Sequence, residues 1–373
     1  MVGIPPPPAP DSKDAESKDV SPMTLQAKLA VMALFIMGFL DTLGYMALMP
    51  TLIFYVRAVG GDEGQYGSIM AANNFSAFLM MPIYASYVDA TGKFRKVFFL
   101  GTFLCILGQI FYTFAIVFGE TGLAVHVLLA SRAIYGIGAA AFGAVGFTYI
   151  ALMVEPEQLT LVTTILTFGS GQGLVFGPFI NQFLEGIDTS IDVFGLTVPI
   201  LEINAVGIFI ACTQLISVIL TYFFLPEVST KKKDEDAALL EKAKSLPDDE
   251  QQLKREDTGW ASIFREFASD IKLLLPVFAV FVASSNFQLI ENAFPPATAH
   301  ALGWGPAETA EIFSYNTIVM MISMFSAMGL SQKYNLNDTS LIIGGNITWA
   351  ISGILMVRSG SRLARRNCVV LIC

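Results

Sequence analysis

Long apolar runs separated by short polar turns dominate the chain. Nine of them reach, or closely approach, the ~20 residues a helix needs to cross a ~30 Å hydrocarbon layer. They cover residues 30–55, 66–88, 97–118, 123–152, 161–183, 203–225, 273–293, 312–332 and 339–357. Apolar residues surround each run instead of forming one stripe, as expected for helices that face lipid as well as protein. The connections 1–2, 2–3, 3–4, 4–5 and 8–9 are short, so consecutive spans are predicted to be antiparallel neighbours. The pattern predicts an all-α fold, a polytopic membrane helix bundle.

One polar stretch divides this pattern. Residues 226–272 contain Lys231-Lys232-Lys233-Asp234-Glu235-Asp236 and hold 21 of the chain's charged residues, which number 22 Lys+Arg and 31 Asp+Glu. Its mixed charge predicts a solvated cytoplasmic linker. Trp260, Ile263, Phe264 and Phe267 recur at helical spacing near its end, predicting a short amphipathic helix, either on the membrane surface or capping the bundle. The predicted organisation is a polar tail (1–27), a six-span lobe (28–225), the linker (226–272), three spans of a second lobe (273–357) and an atypical tail (358–373).

Composition narrows the functional classes. Only 14% of residues are charged, against about 25% in soluble domains, which excludes a soluble enzyme. A net charge of −9 without a basic stripe excludes a nucleic-acid partner. The four cysteines show no paired spacing and there are two histidines, so no disulfide framework, metal site or cofactor is expected. With the N-terminus cytoplasmic, sixteen Lys/Arg fall in cytoplasmic segments and, leaving the C-terminal tail aside, only Arg57 on the opposite face. That asymmetry sets the predicted orientation. Arg358, Arg362, Arg365 and Arg366 break the rule after span nine. This leads to the expectation that the sequence past about Val357 is not the continuation this bundle requires.

Three motifs fall on successive elements. The turn after span 2 carries Asp89, Gly92, Lys93, Arg95 and Lys96, a pattern for a cytoplasmic charge latch. Span 4 carries Leu128-x-x-x-Arg132-x-x-Tyr135-Gly136-x-Gly138-Ala139-Ala140, and span 5 carries Gly173-x-x-x-Gly177-Pro178. In this order they resemble the signature motifs of the major facilitator superfamily, with Ala90 in place of the usual basic residue and Asn181-Gln182 in place of a trailing glycine pair. Residues 66–98, 131–184 and 273–345 are similar to the endolysosomal branch linked to neuronal ceroid lipofuscinosis, and to the membrane domain of SPX-type vacuolar phosphate transporters. The resemblance implies two six-helix lobes with substrate bound between them near the midplane, of which six helices and three helices are expected here. It implies transport of a small solute, an anion such as chloride or phosphate, across a lysosomal, endosomal or vacuolar membrane, with the bilayer and the substrate as partners. A channel-like conductance by the same fold and a truncated non-transporting protein are the alternatives.

Charges inside the spans carry the candidate chemistry, because an ionised group at the bilayer centre costs about 2.5–3.5 kcal/mol. Asp41 in span 1 and Arg132 in span 4 are the leading candidates, expected to pair in one conformation and to exchange that pairing for a proton or an anion. The planar guanidinium fork suits phosphate and carboxylate; a permanent neutralising pair is the structural alternative. Glu291, near the far end of span 7, is a coupling candidate whose alternative is an interfacial carboxylate. Asn73 and Gln172 are substrate candidates among the span amides Asn74, Asn286, Gln288 and Asn316, which otherwise bond helix to helix. Gly136, Gly138, Gly173 and Gly177 are expected to permit close helix packing, and Pro178 to bend span 5. Glu235, Leu239 and Leu240 match an acidic dileucine signal for sorting adaptors, or else a solvated helix turn. Ser170 and His126 raise an intramembrane serine protease, which leaves the three motifs unexplained; no enzyme is expected.

Overall fold

The helix boundaries follow from residues that start or stop helices. The structure is a computed structural model that describes residues 23–193, 195–227, 271–334, 344, 345, 347 and 348. Thr24 opens α1 (Leu25–Ala58), its hydroxyl accepting from the Ala27 amide at 3.2 Å. Asp62 and Gln65 cap α2 (Glu63–Thr91) reciprocally, at 2.7 and 2.9 Å, satisfying amides that have no partner within the helix. Gly92 ends α2 with φ of 67°, a left-handed conformation that a Cβ would disfavour. Then come α3 (Phe94–Phe114) with a 3-10 turn (Ala115–Phe118), α4 (Gly122–Met153), and α5 (Pro156–Leu184), which opens on a proline. After the linker come α7 (Ile271–Leu302) and α8 (Pro306–Tyr334).

Between α5 and α6 (Glu202–Phe224) the chain forms an antiparallel hairpin that the apolar-run pattern did not predict. Strand β1 (Asp188–Val193) pairs with β2 (Leu196–Leu201) in the register Asp188↔Leu201 to Val193↔Leu196. Gly195 supplies the positive φ of its tight turn. Asn204 anchors the hairpin, accepting from the Leu201 amide at 2.7 Å and donating to the Thr113 and Pro199 carbonyls at 3.1 and 2.9 Å.

Eight predicted spans are helices here. Span nine, the tail after it, the amphipathic stretch around Trp260 and the dileucine residues Glu235, Leu239 and Leu240 lie wholly or mostly outside the described residues. Among the described residues, five helical stretches combine length and hydropathy sufficient to cross a membrane: Leu25–Ala58, Phe94–Phe118, Gly122–Met153, Gln158–Leu184 and Glu202–Phe224. Helix α2 has the length, 29 residues, but Asn73 and Asn74 dilute its apolar run.

Consecutive spans are expected to be neighbours, but the first six helices interlock chiefly through the non-consecutive pairs α1–α5, α2–α4, α3–α6 and α1–α6, with α3–α4 the one extensive consecutive contact, and α8 lies mainly against α5. Helix α1 is the hub, since every residue from Met46 to Ile53 is buried. Glycines set the spacing. A Cβ on Gly136 would strike the backbone of Asn73, one on Gly138 the backbone of Gly101, and ones on Gly173 and Gly177 the backbone of α1 at Phe39 and Leu43. Each of these glycines sits at a close approach of two helices, and Pro178 is buried within α5.

Two apolar cores lie towards opposite ends of the bundle. One gathers Met46–Val59, Tyr66–Met70 and Tyr112; the other gathers Ala30–Met37, Val88, Phe94–Phe98 and Tyr149. Tyr55 locks the first, donating to the Tyr112 carbonyl at 2.8 Å and accepting from the Ile116 amide at 2.9 Å. Tyr112 in turn donates to the Ile203 carbonyl at 3.1 Å. Tyr55→Phe leaves the Ile116 amide without its acceptor and takes one of two donors from the Tyr112 carbonyl; it is expected to cost about 1–3 kcal/mol, read as a fall of several degrees in the thermal midpoint of the purified protein.

At the other end, the expected charge latch takes a different form. Arg95 donates to the Tyr222 carbonyl at 2.6 Å and lies 5.0 Å above the Tyr222 ring, so it caps the last turn of α6, where a cation is favoured. Asp89 and Lys93 are exposed, and among the described residues Asp89 forms no ion pair with the basic cluster.

Candidate functional site

A layer of polar groups separates the two apolar cores. Asp41 sits on α1 between the core residues Met37 and Met46, and one oxygen, Oδ1, receives two hydrogen bonds. Tyr135 of α4 donates to it at 3.0 Å, and Gln214 of α6 donates at 3.4 Å. A small cavity beside the carboxylate is lined by Asp41, Thr102, Cys105, Gln214 and Ser217, with Met37, Phe98 and Phe142 closing its apolar side.

Arg132 lies one helical turn from Tyr135 on α4. Its guanidinium carbon stands 4.8 Å from the centre of the Tyr135 ring, and the residue is only 1% exposed. Its Nε and Nη2 atoms have no hydrogen-bond acceptor among the described residues. The expected Asp41–Arg132 pair is not a direct ion pair in this conformation; among the described residues the ion pair formed is Arg57–Glu63 at 2.8 Å. Tyr135 stands between the two charges, its hydroxyl on the carboxylate and its ring face towards the guanidinium. A desolvated cation–π contact contributes about 2 kcal/mol, whereas breaking a buried pair costs about 3–5 kcal/mol. The ring therefore offsets only part of the cost of burying this charge.

Tyr135→Phe keeps the ring and removes the hydroxyl. Since hydrogen bonds to charged groups contribute about 1.5–3 kcal/mol, the expected loss of stability is of that order. Tyr135→Leu removes the ring as well and is expected to lower the thermal midpoint further; equal midpoints for the two variants would show that the ring face contributes nothing.

A second cluster joins α1, α2 and α7. Tyr45 donates to Gln288 Oε1 at 3.2 Å, and Asn292 donates to the same oxygen at 3.4 Å. Glu291 lies beside Tyr45 and is 4% exposed, and among the described residues neither of its oxygens meets a donor in hydrogen-bonding geometry. The Tyr66 hydroxyl is also buried without a partner among the described residues. Arg132 and Glu291 are thus two buried ionisable groups on different helix sets.

The remaining candidates disperse. Asn73 is buried at the α2–α4 contact and bonded to Asn74 at 3.2 Å, which makes it part of the packing seam. Gln172 is half-buried on α5, Asn74 and Asn316 are exposed, and the Asn286 side chain lies outside the described positions. The Ser170 carbonyl accepts from Thr42 at 2.7 Å in the α1–α5 seam, while His126 is exposed and bonded within the first turns of α4. Sequence reasoning missed three groups. Tyr135 stands three residues from Arg132 and so shares its helix face, a signal that was available. Gln214, and Gln109 with 1% exposure and both amide atoms unbonded among the described residues, are isolated amides in apolar helices that nothing in one dimension marks out.

Comparison with known proteins agrees with this architecture. A family model described as Major Facilitator Superfamily matches residues 34–364. The curated Multidrug resistance protein 2 of Bacillus subtilis (strain 168) is 20% identical over 288 residues, 76% of this chain and 62% of its own length. Among solved structures, the bacterial homolog of the human lysosomal transporter Spinster, in an inward-facing and unoccupied conformation, matches with TM-score 0.57 and 16% identity, over 84% of this chain and 64% of that one. A D-xylose–proton symporter matches with TM-score 0.56 and 14% identity, over 82% and 69%. The chain thus spans a little under two thirds of the length of the first two. At these identities the solved structures establish the fold alone.

Proposed function

The chain belongs to the major facilitator superfamily, and on that premise we propose that it serves as a membrane transporter of a small anion, working by alternating access. The observation that carries this reading is the Arg132 guanidinium, buried to 1% exposure with two nitrogens unbonded among the described residues. A cation left without an acceptor in an apolar bundle is a site for a negative ligand, because a bidentate oxoanion or a halide supplies the missing charge and acceptors. Asp41, held by Tyr135 and Gln214, competes with the anion for the guanidinium. Glu291 is the opposing carboxylate on α7, released or covered as the two helix sets move.

The similarity of residues 66–98, 131–184 and 273–345 to the endolysosomal and vacuolar branches supports an endolysosomal or vacuolar membrane, with the acidic dileucine stretch as its sorting element and the N-terminus cytoplasmic. A channel-like anion conductance uses the same groups. The sealed position of Arg132 favours the carrier, since a continuous pore would leave it wetted. Flux of radiolabelled anions into proteoliposomes holding the full-length protein tests the proposal. Saturable uptake that is accelerated by trans anion is the expected result. Flux of neutral solutes only would overturn it, and voltage-driven flux without saturation would establish the channel.

A further inference from the structure

The hairpin between α5 and α6 has two edges, and they differ. Its register closes on Val193↔Leu196 around a two-residue turn, the geometry in which the closing pair exchanges both backbone hydrogen bonds. Alternation along the ladder then directs the backbone groups of Thr189, Ile191 and Val193 to β2, and turns the N–H and C=O groups of Asp188, Ser190 and Asp192 outwards. Two observations agree with this phase. Pro199, paired with Ser190, has no N–H and takes an outward position of β2, where a strand proline is tolerated. Asp192 and Thr197 fall on a pair whose side chains approach closely, and the Thr197 hydroxyl donates to Asp192 Oδ1 at 2.6 Å.

Proline guards the β2 edge, and β2 also packs against the 3-10 turn. Its Val198 and Ile200 are buried with Phe114, Ile116 and Val117. Strand β1 has no proline, and five of its six residues are exposed, Ile191 among them at 41%. The segment is also strongly acidic. Residues 185–202 hold Glu185, Asp188, Asp192 and Glu202 and contain no Lys or Arg.

We propose that β1 is a docking edge for an extended segment of a partner protein in which basic and apolar residues alternate. The segment adds a third strand to the hairpin, its backbone meeting the outward groups of Asp188, Ser190 and Asp192. Its basic residues stand beside Asp188 and Asp192 on the outer face, and its apolar residues beside Ile191 on the face that carries Val198 and Ile200. The carboxylates also disfavour a second copy of this chain. Antiparallel pairing of two β1 strands about Ser190 sets Asp188 of each copy against Asp192 of the other, and like charges directly opposite are destabilising. With the N-terminus cytoplasmic, as proposed above, the partner approaches from the non-cytoplasmic side. The docking edge is independent of which solute is transported.

Binding of a labelled octapeptide of alternating Lys and Val to the full-length protein in phosphatidylcholine nanodiscs tests the proposal. Ser190→Pro removes an outward N–H and spares the ladder to β2. It is expected to weaken peptide binding at least tenfold at an unchanged unfolding midpoint. Asp188→Asn with Asp192→Asn, which keeps an acceptor for Thr197, is expected to weaken binding similarly. The corresponding Glu–Val peptide, and the Lys–Val peptide with alternate backbone nitrogens methylated, are expected not to bind. Equal binding of the methylated peptide would reduce the contact to charge attraction and overturn the strand edge, as would absence of any peptide binding. A dimer of the full-length protein that Ser190→Pro dissociates would make a second copy the occupant. Peptide affinity that rises tenfold when Arg358, Arg362, Arg365 and Arg366 are replaced by Ser would make this chain's own tail the occupant. Either result would overturn the partner segment.

Discussion

Arg132→Leu is expected to lower anion transport by at least a hundredfold while leaving the unfolding midpoint equal to or above that of the wild type. The two effects separate because the guanidinium is buried without an acceptor among the described residues. Replacing buried charges by apolar groups of similar volume is often neutral, or stabilising by about 1–4 kcal/mol. The loss of the contact with the Tyr135 ring, 4.8 Å away, returns about 2 kcal/mol of that. A residue retained for structure would show the reverse, a lower midpoint and transport lost only through unfolding. Arg132→Lys keeps the charge but not the fork, and is expected to transport weakly, with its loss appearing chiefly as a raised KM. Transport by Arg132→Leu at the wild-type rate would remove the anchor from the mechanism.

Gly136→Val is expected to abolish the folded bundle, with loss of a monodisperse peak in size-exclusion chromatography and no cooperative unfolding transition. The Cβ alone would collide with the carbonyl of Asn73, a backbone atom of α2 that has no rotamer to change. Overpacking costs typically 1–3 kcal/mol and occasionally more. A collision of helix backbone with helix backbone lies at or beyond the top of that range, so even Gly136→Ala is expected to cost about 3 kcal/mol. The matched control is Gly171→Ala on α5. Nothing lies within 4 Å of a Cβ there, and alanine gains up to about 1 kcal/mol of helix propensity over glycine. Gly171→Ala is expected to fold as well as the wild type or better. If both glycines tolerated alanine, the close α2–α4 approach would not be what holds that seam.

The contrast between these two glycines shows what the sequence alone conveys. Both stand in apolar helices of similar composition, and both read as small residues suited to packing. Only the positions of α2 against α4 and of α5 against α1 reveal that one fills a backbone contact and the other faces open space. The same holds for the charges. The intramembrane position of Asp41 and Arg132 is legible from hydropathy, because an ionised residue in an apolar run is costly wherever the run folds. Their separation by Tyr135 is not, since the Tyr135–Asp41 hydrogen bond joins residues 94 apart in sequence and the Gln214–Asp41 bond residues 173 apart.

The sequence by itself determined where the apolar helices of the described regions lie, the motif turn closed by Gly92 and the identity of the buried charges, but not which helices are neighbours, since α1 packs on α5 and α6 and α2 on α4. The first three are one-dimensional properties: the thickness of a hydrocarbon layer sets how long an apolar run must be, and the backbone angles of single residues set where it stops. The tertiary structure alone decided the hairpin between α5 and α6, the capping of α6 by Arg95, the Tyr135 bridge and the orphaned Gln109 and Glu291. Hydropathy is nearly uniform around each helix of a membrane bundle, so it does not say which face turns inward. That choice belongs to the interlocking of glycine seams and buried side chains across helices, and it fixes which polar groups meet and which are left for a ligand.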